Sequence, residues 1–389
     1  MRTRSASVNA EAKPALRQRQ DTCSNGSAPL PRHSPPGRAP SGGGQPHGGH
    51  GIPPQSAERR IPQFAEEQES TPQAPATLLQ VSPLLSRLEQ ALAERHRTVR
   101  LHELPDPQRF LRDHGGEVTV AVASARFGVG NALMDALPGL GAIVHFGVGH
   151  ETTDVVRARA RGIDVSNTPD VLTDCVADLA VGALIDVMRR MSAADRYVRA
   201  GGWSTAPFPL AARVSGKRVG VLGLGRIGRA VARRLEGFGV EVAYCSRLPV
   251  PGVPYRRLPT ALALAEACDA LVVTVAGGAG TEGLVSAAVL DALGPEGHLV
   301  NVARGSVVDE PALVAAVEEG RIAGAALDVF ADEPNVPRAL LDSDRVVLLP
   351  HIASATRETR EAMADLVLRN VERFMTEGVL LTPVPGPTH

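Results

Sequence analysis

A glycine-rich turn between an apolar run and an amphipathic segment has residue types that could bind phosphates. Five of its residues are assigned to dinucleotide binding: Gly223, Gly225, Arg226, Ile227 and Gly228. Glycines in this spacing permit a tight turn, let a pyrophosphate approach the backbone and let a helix pack closely on a strand. The run 219–222 predicts that strand, and Ala230 and Leu235 lie on the apolar side of the predicted helix. Because a helix N-terminus also offers free N–H groups to phosphates, this context favours a dinucleotide site over an ordinary glycine-rich turn.

The end of the next predicted strand bears on which dinucleotide would bind. An acid at this point would bond the ribose 2′-hydroxyl of NAD. The predicted strand 240–245 is instead followed by Ser246 and Arg247, without a carboxylate. Ser246 could bond a 2′-phosphate, and Arg247 could pair with it through two parallel hydrogen bonds. We therefore predict that NADP is preferred and keep NAD as the alternative, in which Arg247 is a solvated arginine of a chain that has only two lysines.

Several further motifs occur in a fixed order around this turn. They are Asn167-Thr168-Pro169-Asp170, then Asn301-Val302-Ala303-Arg304-Gly305, Leu327-Asp328-Val329-Phe330, Glu333-Pro334 and Leu349-Pro350-His351. In this order they resemble the D-isomer-specific 2-hydroxyacid dehydrogenase family. Within that family, the likeness is to hydroxypyruvate/glyoxylate reductases and their hydroxyphenylpyruvate-reducing relatives. The resemblance covers Thr77 to about Thr382, and several ordered motifs are more specific than the glycine motif alone.

The resemblance implies three catalytic residues. Arg304 would hold the carboxylate and the reacting carbonyl of a substrate with its planar guanidinium. His351 would protonate the carbonyl oxygen of a 2-keto acid, because imidazole titrates in the required pH range. Glu333 would bond the far ring nitrogen of His351, fix its tautomer and favour its charged form. Considered one at a time, these residues could instead be a loop cation, a core histidine and a surface acid.

The resemblance also implies binding residues in two other places. Val148 and Gly149 follow the predicted strand 142–146, and their backbone N–H groups would bind the substrate carboxylate, although an ordinary turn is the alternative. Asp328 would accept a hydrogen bond from the nicotinamide carboxamide, or else cap a helix or loop. The active site would lie in a cleft between two domains, at the carboxyl ends of their strands.

Together, these residues predict an NADP-dependent 2-keto acid reductase that acts on the CH–OH group of 2-hydroxy acids in the reverse direction. The alternative is a dinucleotide-sensing binding module, because the family includes co-repressor proteins and the Arg304, Glu333 and His351 set permits both. Turnover with glyoxylate or hydroxypyruvate would distinguish the two. Formate or phosphite oxidation is disfavoured, because formate enzymes are expected to carry a glutamine where Glu333 stands.

Short apolar runs alternate with helical patterns from Thr77 onward, which predicts parallel sheets with helices on both faces. One long helix is predicted over 173–199, because apolar residues recur there every three or four positions. The sequence alone supports two α/β segments. The resemblance adds their arrangement as two doubly wound parallel-sheet domains. A Rossmann cofactor domain (177–353) would be inserted into a flavodoxin-like substrate domain (77–176 and 354–389).

Composition disfavours several other classes of protein. The 389 residues have a net charge of −1 from 41 basic and 42 acidic side chains, which argues against a nucleic-acid binder. No apolar run is long enough for a membrane span. The four cysteines lie far apart and form no C-x-x-C motif, which argues against a zinc site or a disulfide framework and favours a cytoplasmic protein.

Two regions outside the motifs carry further expectations. Residues 1–76 hold 12 of the 31 prolines and several Gly/Pro/Ser runs without apolar periodicity, so we predict that they are disordered. An inert extension, a targeting segment and an interaction tail remain open for them. The helix predicted over 173–199 and the loop after it resemble the dimerisation region of the family, and a homodimer is therefore expected.

Overall fold

The computed structural model describes residues 77–386, so the predicted disordered segment 1–76 lies outside the described residues. The first sheet contains β1 (Thr77–Gln80), β2 (Arg97–Arg100), β3 (Val118–Ser124), β4 (Ala142–Phe146) and β5 (Asp164–Ser166). Its strand order is β2-β1-β3-β4-β5, and every neighbouring pair is parallel. This is the flavodoxin-like order. The helices of this part are α1 (Ser86–Arg95), α2 (Pro107–His114), α3 (Asn131–Asp135) and α4 (Val155–Ala160).

The single helix predicted over 173–199 is wrong, because the segment forms two helices, α5 (Thr173–Arg189) and α6 (Met191–Arg199). Arg190 between them has a left-handed backbone with φ of 56°. The carboxylate of Asp186 accepts hydrogen bonds from the backbone N–H and the hydroxyl of Ser192, at 2.8 and 2.6 Å, which holds the chain in this break. The apolar periodicity continues through the break, so it gave no signal of the interruption.

The second sheet contains seven parallel strands: β6 (Arg218–Leu222), β7 (Glu241–Cys245), β8 (Arg256–Arg257), β9 (Ala270–Val273), β10 (His298–Asn301), β11 (Gly324–Leu327) and β12 (Val346–Leu348). Their order is β12-β11-β10-β9-β6-β7-β8, which is the dinucleotide-binding order with one added strand. Its helices are α7 (Arg226–Glu236), α8 (Ala261–Glu266), α9 (Ala287–Leu293), α10 (Glu310–Glu318) and α11 (Arg338–Leu341). Strands β9, β10 and β11 are buried along their whole length, as expected where helices cover both faces.

The last helix, α12 (Arg357–Glu377), returns to the first sheet and packs against α1 and β4. Beyond it, the backbone N–H of Val384 donates to the carbonyl of Val165 in β5 at 2.7 Å. The predicted fold class, with a Rossmann domain inserted into a flavodoxin-like domain, is therefore confirmed. The predicted domain limits stay a prediction; the limit at 176/177 falls inside α5, which packs on α7 and on β10 to β12. Within residues 77–386, no helix is both long and apolar enough to cross a bilayer.

Candidate active site

Three adjacent parallel strands of the second sheet place the predicted catalytic residues at one edge. Arg304 follows β10, Glu333 follows β11 and His351 follows β12. Because neighbouring strands lie about 4.8 Å apart, residues separated by up to 47 positions in sequence meet at the carboxyl ends of β10 to β12. The loops after β3 and β4 of the first sheet face this edge. We call the region between the two sides the cleft.

The imidazole of His351 is hydrogen-bonded to the carboxylate of Glu333. The distance between Nδ1 of His351 and Oε2 of Glu333 is 2.8 Å. The other carboxylate oxygen of Glu333 accepts from the backbone N–H of Phe330 at 3.2 Å. The Glu333 side chain is 16% exposed and that of His351 is 38% exposed. The pair therefore has a partly buried acid end and a more accessible imidazole end, and Nε2 of His351 makes no hydrogen bond to another residue of the described part.

The loop that carries His351 is held by Asp328. Its two carboxylate oxygens accept from the backbone N–H groups of Ile352 and Ala353, at 2.7 and 2.9 Å, and its carbonyl accepts from the N–H of His351 at 2.9 Å. Burial raises the pKa of Asp328, and the two amides oppose this rise. Asp328 is 1% exposed. The structure therefore shows the loop-capping alternative, and a contact of Asp328 with nicotinamide stays a prediction.

Glu333 is also contacted from the first sheet by Arg126, which sequence reasoning missed. Nη2 of Arg126 donates to the carbonyl of Glu333 at 2.8 Å, and its Nε lies 4.0 Å from Oε2. Burial alone would raise the pKa of Glu333, but the hydrogen bond and charge of His351, the Phe330 amide and the Arg126 charge together lower it. Glu333 is therefore ionised at neutral pH, as an orienting acid must be.

Arg304 forms an ion pair across the cleft with Glu151, a second residue that sequence reasoning missed. Nε of Arg304 donates to Glu151, and Nη1 donates to the carbonyl of Ala303 at 2.7 Å. A Cβ built on Gly149 would collide with Nη2 of Arg304, so this nitrogen lies directly against the loop after β4. The structure thus brings Arg304 and Gly149 together, with Val148 beside them; the carbonyl of Val148 accepts from Nδ2 of Asn167 at 2.7 Å.

The glycine-rich turn has the geometry that a dinucleotide needs. Gly223 has a φ of 99°, which favours glycine, and a Cβ there would lie 2.7 Å from the Val275 side chain. A Cβ on Gly228 would collide with the carbonyl of Gly223, whereas a Cβ on Gly225 would meet nothing within 4 Å. No side chain caps the N-terminus of α7 at Gly225. The first N–H groups of α7, which include those of Arg226 and Ile227, therefore have no capping side chain, and the residues fit a bound pyrophosphate.

The residues after β7 lie beside this turn. The hydroxyl of Ser246 accepts from the backbone N–H of Leu224 at 2.8 Å. Arg257, which sequence reasoning missed, donates to the carbonyls of Ser246 and Arg247 at 3.0 and 3.1 Å. The side chain of Arg226 pairs with Asp170, at 2.7 Å between Nε and Oδ1. Arg247 is exposed next to the Ser246 hydroxyl, and β7 ends without a carboxylate; a role for either residue at the cofactor stays a prediction.

Within residues 77–386, no group of three or more His, Cys, Asp and Glu side chains could hold a metal ion. The chemistry that this part of the chain offers is that of charged and hydrogen-bonding groups. Those groups comprise a carboxylate–imidazole pair, a guanidinium against a glycine loop, and a helix N-terminus suited to phosphates. The roles of the individual residues stay predictions.

The chain matches one family model and is similar to several named proteins. Residues 181–353 match the family model described as D-isomer specific 2-hydroxyacid dehydrogenase, NAD binding domain. The chain is 44% identical over 307 residues to glyoxylate/hydroxypyruvate reductase A of Arabidopsis thaliana and to hydroxyphenylpyruvate reductase of Plectranthus scutellarioides. Each alignment covers 79% of this chain and 98% of the relative. The chain also resembles the crystal structure of an NADPH-dependent glyoxylate/hydroxypyruvate reductase from Sinorhizobium meliloti in complex with NADP and malonate. The TM-score is 0.74 at 45% identity, over 80% of this chain and 97% of that one.

Proposed function

The chain belongs to the D-isomer-specific 2-hydroxyacid dehydrogenase family, and from this premise we propose that it reduces small 2-keto acids with NADPH, with His351 as the proton donor. As a member of the family, it is an NAD(P)-dependent oxidoreductase that acts on the CH–OH group of 2-hydroxy acids. Its named relatives favour glyoxylate and hydroxypyruvate as substrates. The observation that carries the proposal is the 2.8 Å hydrogen bond between His351 and Glu333 at the same sheet edge as Arg304.

The proposed mechanism assigns each group one task. The substrate carboxylate binds to Nη2 of Arg304 and to the backbone N–H groups of Val148 and Gly149. NADPH would be held by the glycine-rich turn with Ser246 and Arg247, and it would supply a hydride to C2 of the keto acid. Nε2 of His351 donates a proton to the carbonyl oxygen, while Arg304 stabilises the negative charge that develops on that oxygen. Glu333 keeps the proton of Nδ1 in its hydrogen bond, so the ring is oriented and its charged form is stabilised.

Replacing Arg247 with alanine is expected to lower kcat/KM for NADPH about 10- to 100-fold, because a charge-assisted hydrogen bond to the 2′-phosphate is lost. The kcat/KM for NADH is expected to stay unchanged. Steady-state kinetics with each cofactor at saturating glyoxylate measure both values. Arg112→Ala is the matched control, because Arg112 is an exposed arginine of α2. A wild-type protein that prefers NADH would contradict the proposed NADP preference.

An assay panel tests the proposed function. Purified protein is mixed with NADPH and either glyoxylate, hydroxypyruvate or hydroxyphenylpyruvate, and the consumption of NADPH is followed by absorbance. We expect turnover with at least one substrate in the ordinary range of about 1–10³ per second. Tight NADPH binding without turnover on any of the three would instead favour the dinucleotide-sensing binding module.

The proposal includes a homodimer in the cytoplasm. Support for the dimer comes from exposed apolar side chains on α6 and the loop after it, namely Met191, Val198, Trp203 and Leu210, since apolar surface of this kind is typical of an interface. Light scattering that finds a monomer would contradict it. Support for the cytoplasm comes from Cys175, Cys245 and Cys268, which are free thiols in the described part. Cell fractionation tests this location.

A further inference from the structure

The ion pair between Glu151 and Arg304 bears on which 2-keto acids the proposed enzyme accepts. The guanidinium of Arg304 has three nitrogen atoms. Nε is taken by Glu151, and Nη1 is taken by the carbonyl of Ala303 at 2.7 Å. Only Nη2, which lies against Gly149, keeps both of its N–H groups for a substrate. A substrate carboxylate therefore cannot use the Nε edge of the guanidinium while Glu151 holds it.

The Glu151 carboxylate lies between a loop of the first sheet and a loop of the second. A Cβ on Gly149 would lie 2.7 Å from its Oε2, and a Cβ on Gly277, after β9, would lie 3.6 Å from its Cδ. The Glu151 side chain is 25% exposed, so water screens its charge only in part. Burial alone would raise the pKa of Glu151, but the charge and hydrogen bond of Arg304 and the nearby backbone amides lower it. Glu151 is therefore negatively charged at neutral pH.

Two basic side chains that the first sheet contributes, Arg126 and His145, do not offset the charge of Glu151. Arg126 is engaged with Glu333. His145, on β4, is fully buried, and burial lowers its pKa to about 4, so its imidazole is neutral at pH 7. Each of the two cleft guanidiniums, Arg126 and Arg304, thus already has a carboxylate partner. With the His351 imidazolium that reduction requires, three cations and two carboxylates face the cleft, and a single substrate carboxylate balances their one net positive charge.

We propose that Glu151 restricts the substrate to 2-keto acids that carry one carboxylate and an uncharged remainder. This inference rests on the proposed reductase function. The single carboxylate binds to Nη2 of Arg304 and to the loop at Gly149, within reach of Glu151. A second carboxylate on the same small molecule would lie close to the Glu151 charge without an unmatched guanidinium to compensate, and like charges in a partly desolvated site repel strongly. Glu151 thus excludes dicarboxylates by repulsion.

The test compares Glu151→Gln with the wild-type protein on two substrate pairs. Glyoxylate and hydroxypyruvate carry one carboxylate, whereas oxaloacetate and 2-oxoglutarate carry two. For the wild type, we expect kcat/KM for the dicarboxylates to be at least about 100-fold lower than for hydroxypyruvate. Glu151→Gln keeps the size of the side chain and removes its charge. In this variant, the difference in kcat/KM between hydroxypyruvate and the dicarboxylates is expected to decrease about tenfold or more, mainly through a lower KM for the dicarboxylates.

Two further variants and one binding measurement complete the design. Glu151→Asp keeps the charge and is expected to keep the discrimination. Glu318→Gln makes the same chemical change on the exposed surface of α10 and is expected to match the wild type. Malonate, a dicarboxylate that cannot be reduced, is expected to raise the Tm of Glu151→Gln more than that of the wild type, which tests binding without turnover.

The possible failures are distinguishable. Absence of turnover with glyoxylate, hydroxypyruvate and hydroxyphenylpyruvate would refute the proposed function, and this inference with it. Alternatively, the protein turns over these substrates, but Glu151→Gln changes neither the ratio of kcat/KM between hydroxypyruvate and the dicarboxylates nor the rise in Tm with malonate. This result would refute the role of Glu151 and leave the proposed function standing. The role of Glu151 would also be refuted if the wild-type protein reduced oxaloacetate with the same kcat/KM as hydroxypyruvate.

Discussion

Replacing His351 with alanine is expected to lower kcat for glyoxylate and hydroxypyruvate about 10²- to 10⁴-fold, which is the usual contribution of a positioned general acid. The Kd for NADPH is expected to stay unchanged, because His351 lies at the end of β12 whereas the glycine-rich turn follows β6. In that variant, the partly buried carboxylate of Glu333 keeps its bond to the Phe330 N–H and its contacts with Arg126. The fold around the missing imidazole should therefore persist.

Stopped-flow or steady-state turnover measures kcat of His351→Ala, and fluorescence titration measures its NADPH affinity. His114→Ala is a matched control, because the His114 side chain is 50% exposed at the end of α2 and its Nδ1 also lies 2.8 Å from a glutamate, Glu117. It is expected to retain wild-type turnover. Near-normal kcat in His351→Ala would assign proton transfer to another group and remove the main support for the proposed mechanism.

Replacing Arg304 with glutamine is expected to lower kcat/KM for 2-keto acids about 10²- to 10³-fold, the usual cost of removing a donor that stabilises developing negative charge. Two effects contribute. The substrate loses the Nη2 donor that faces Gly149, and Glu151 loses the cation that balances its charge. An unpaired carboxylate then remains in a partly desolvated site and repels the anionic substrate.

A double variant separates these two effects. Arg304→Gln with Glu151→Gln removes both charges, so its kcat/KM is expected to exceed that of Arg304→Gln alone by about tenfold. Steady-state kinetics with hydroxypyruvate measure all three variants beside the wild type. Arg304→Gln that keeps kcat/KM within tenfold of the wild type would contradict the substrate-binding role of Arg304. If Arg304→Gln and the double variant have equal kcat/KM, the Glu151 carboxylate does not repel the substrate once its arginine partner is removed.

The convergence of Arg304, Glu333 and His351 could be predicted because each follows an apolar run in an ordered set of motifs. Parallel strands align their carboxyl ends, so motifs after consecutive strands must meet at one sheet edge. The glycine-rich turn could be predicted for a related reason, since its spacing, its strand and its helix are all local in sequence. These features depend on strand order, which the resemblance supplied, and on short-range pattern.

The residues that cross the cleft could not be predicted in the same way. Glu151 is 153 positions from Arg304, and Arg126 is 207 positions from Glu333. Neither lies in a motif, and an arginine or a glutamate in a loop is most often solvated. For Glu151, the available signal was its place two residues after Gly149 in a loop already assigned to the substrate. Arg126 gave no comparable signal.

Two local features could not be predicted from the sequence, for different reasons: the helix break at Arg190 and the hydrogen bonds of Asp328. The break at Arg190 is fixed by the side chain of Asp186, and an apolar pattern contains no information on such a bond. The hydrogen bonds of Asp328 to the His351 loop depend on how β11 and β12 pair side by side. Sequence could place Asp328 at a strand end but could not choose between a cofactor contact and a loop cap.

The central claim is that the Glu333–His351 pair protonates the substrate, and the pH dependence of kcat for reduction tests it most directly. Reduction needs the imidazolium, so wild-type kcat must fall as pH rises through an alkaline limb. The carboxylate of Glu333, whose pKa is held below its ordinary value of 4.5, stays ionised through the neutral range and stabilises that imidazolium. In Glu333→Gln, which removes the charge and the orienting bond at Nδ1, we therefore predict a kcat lowered about tenfold or more across the whole pH range. A kcat of Glu333→Gln that matches the wild type over this range would contradict the account.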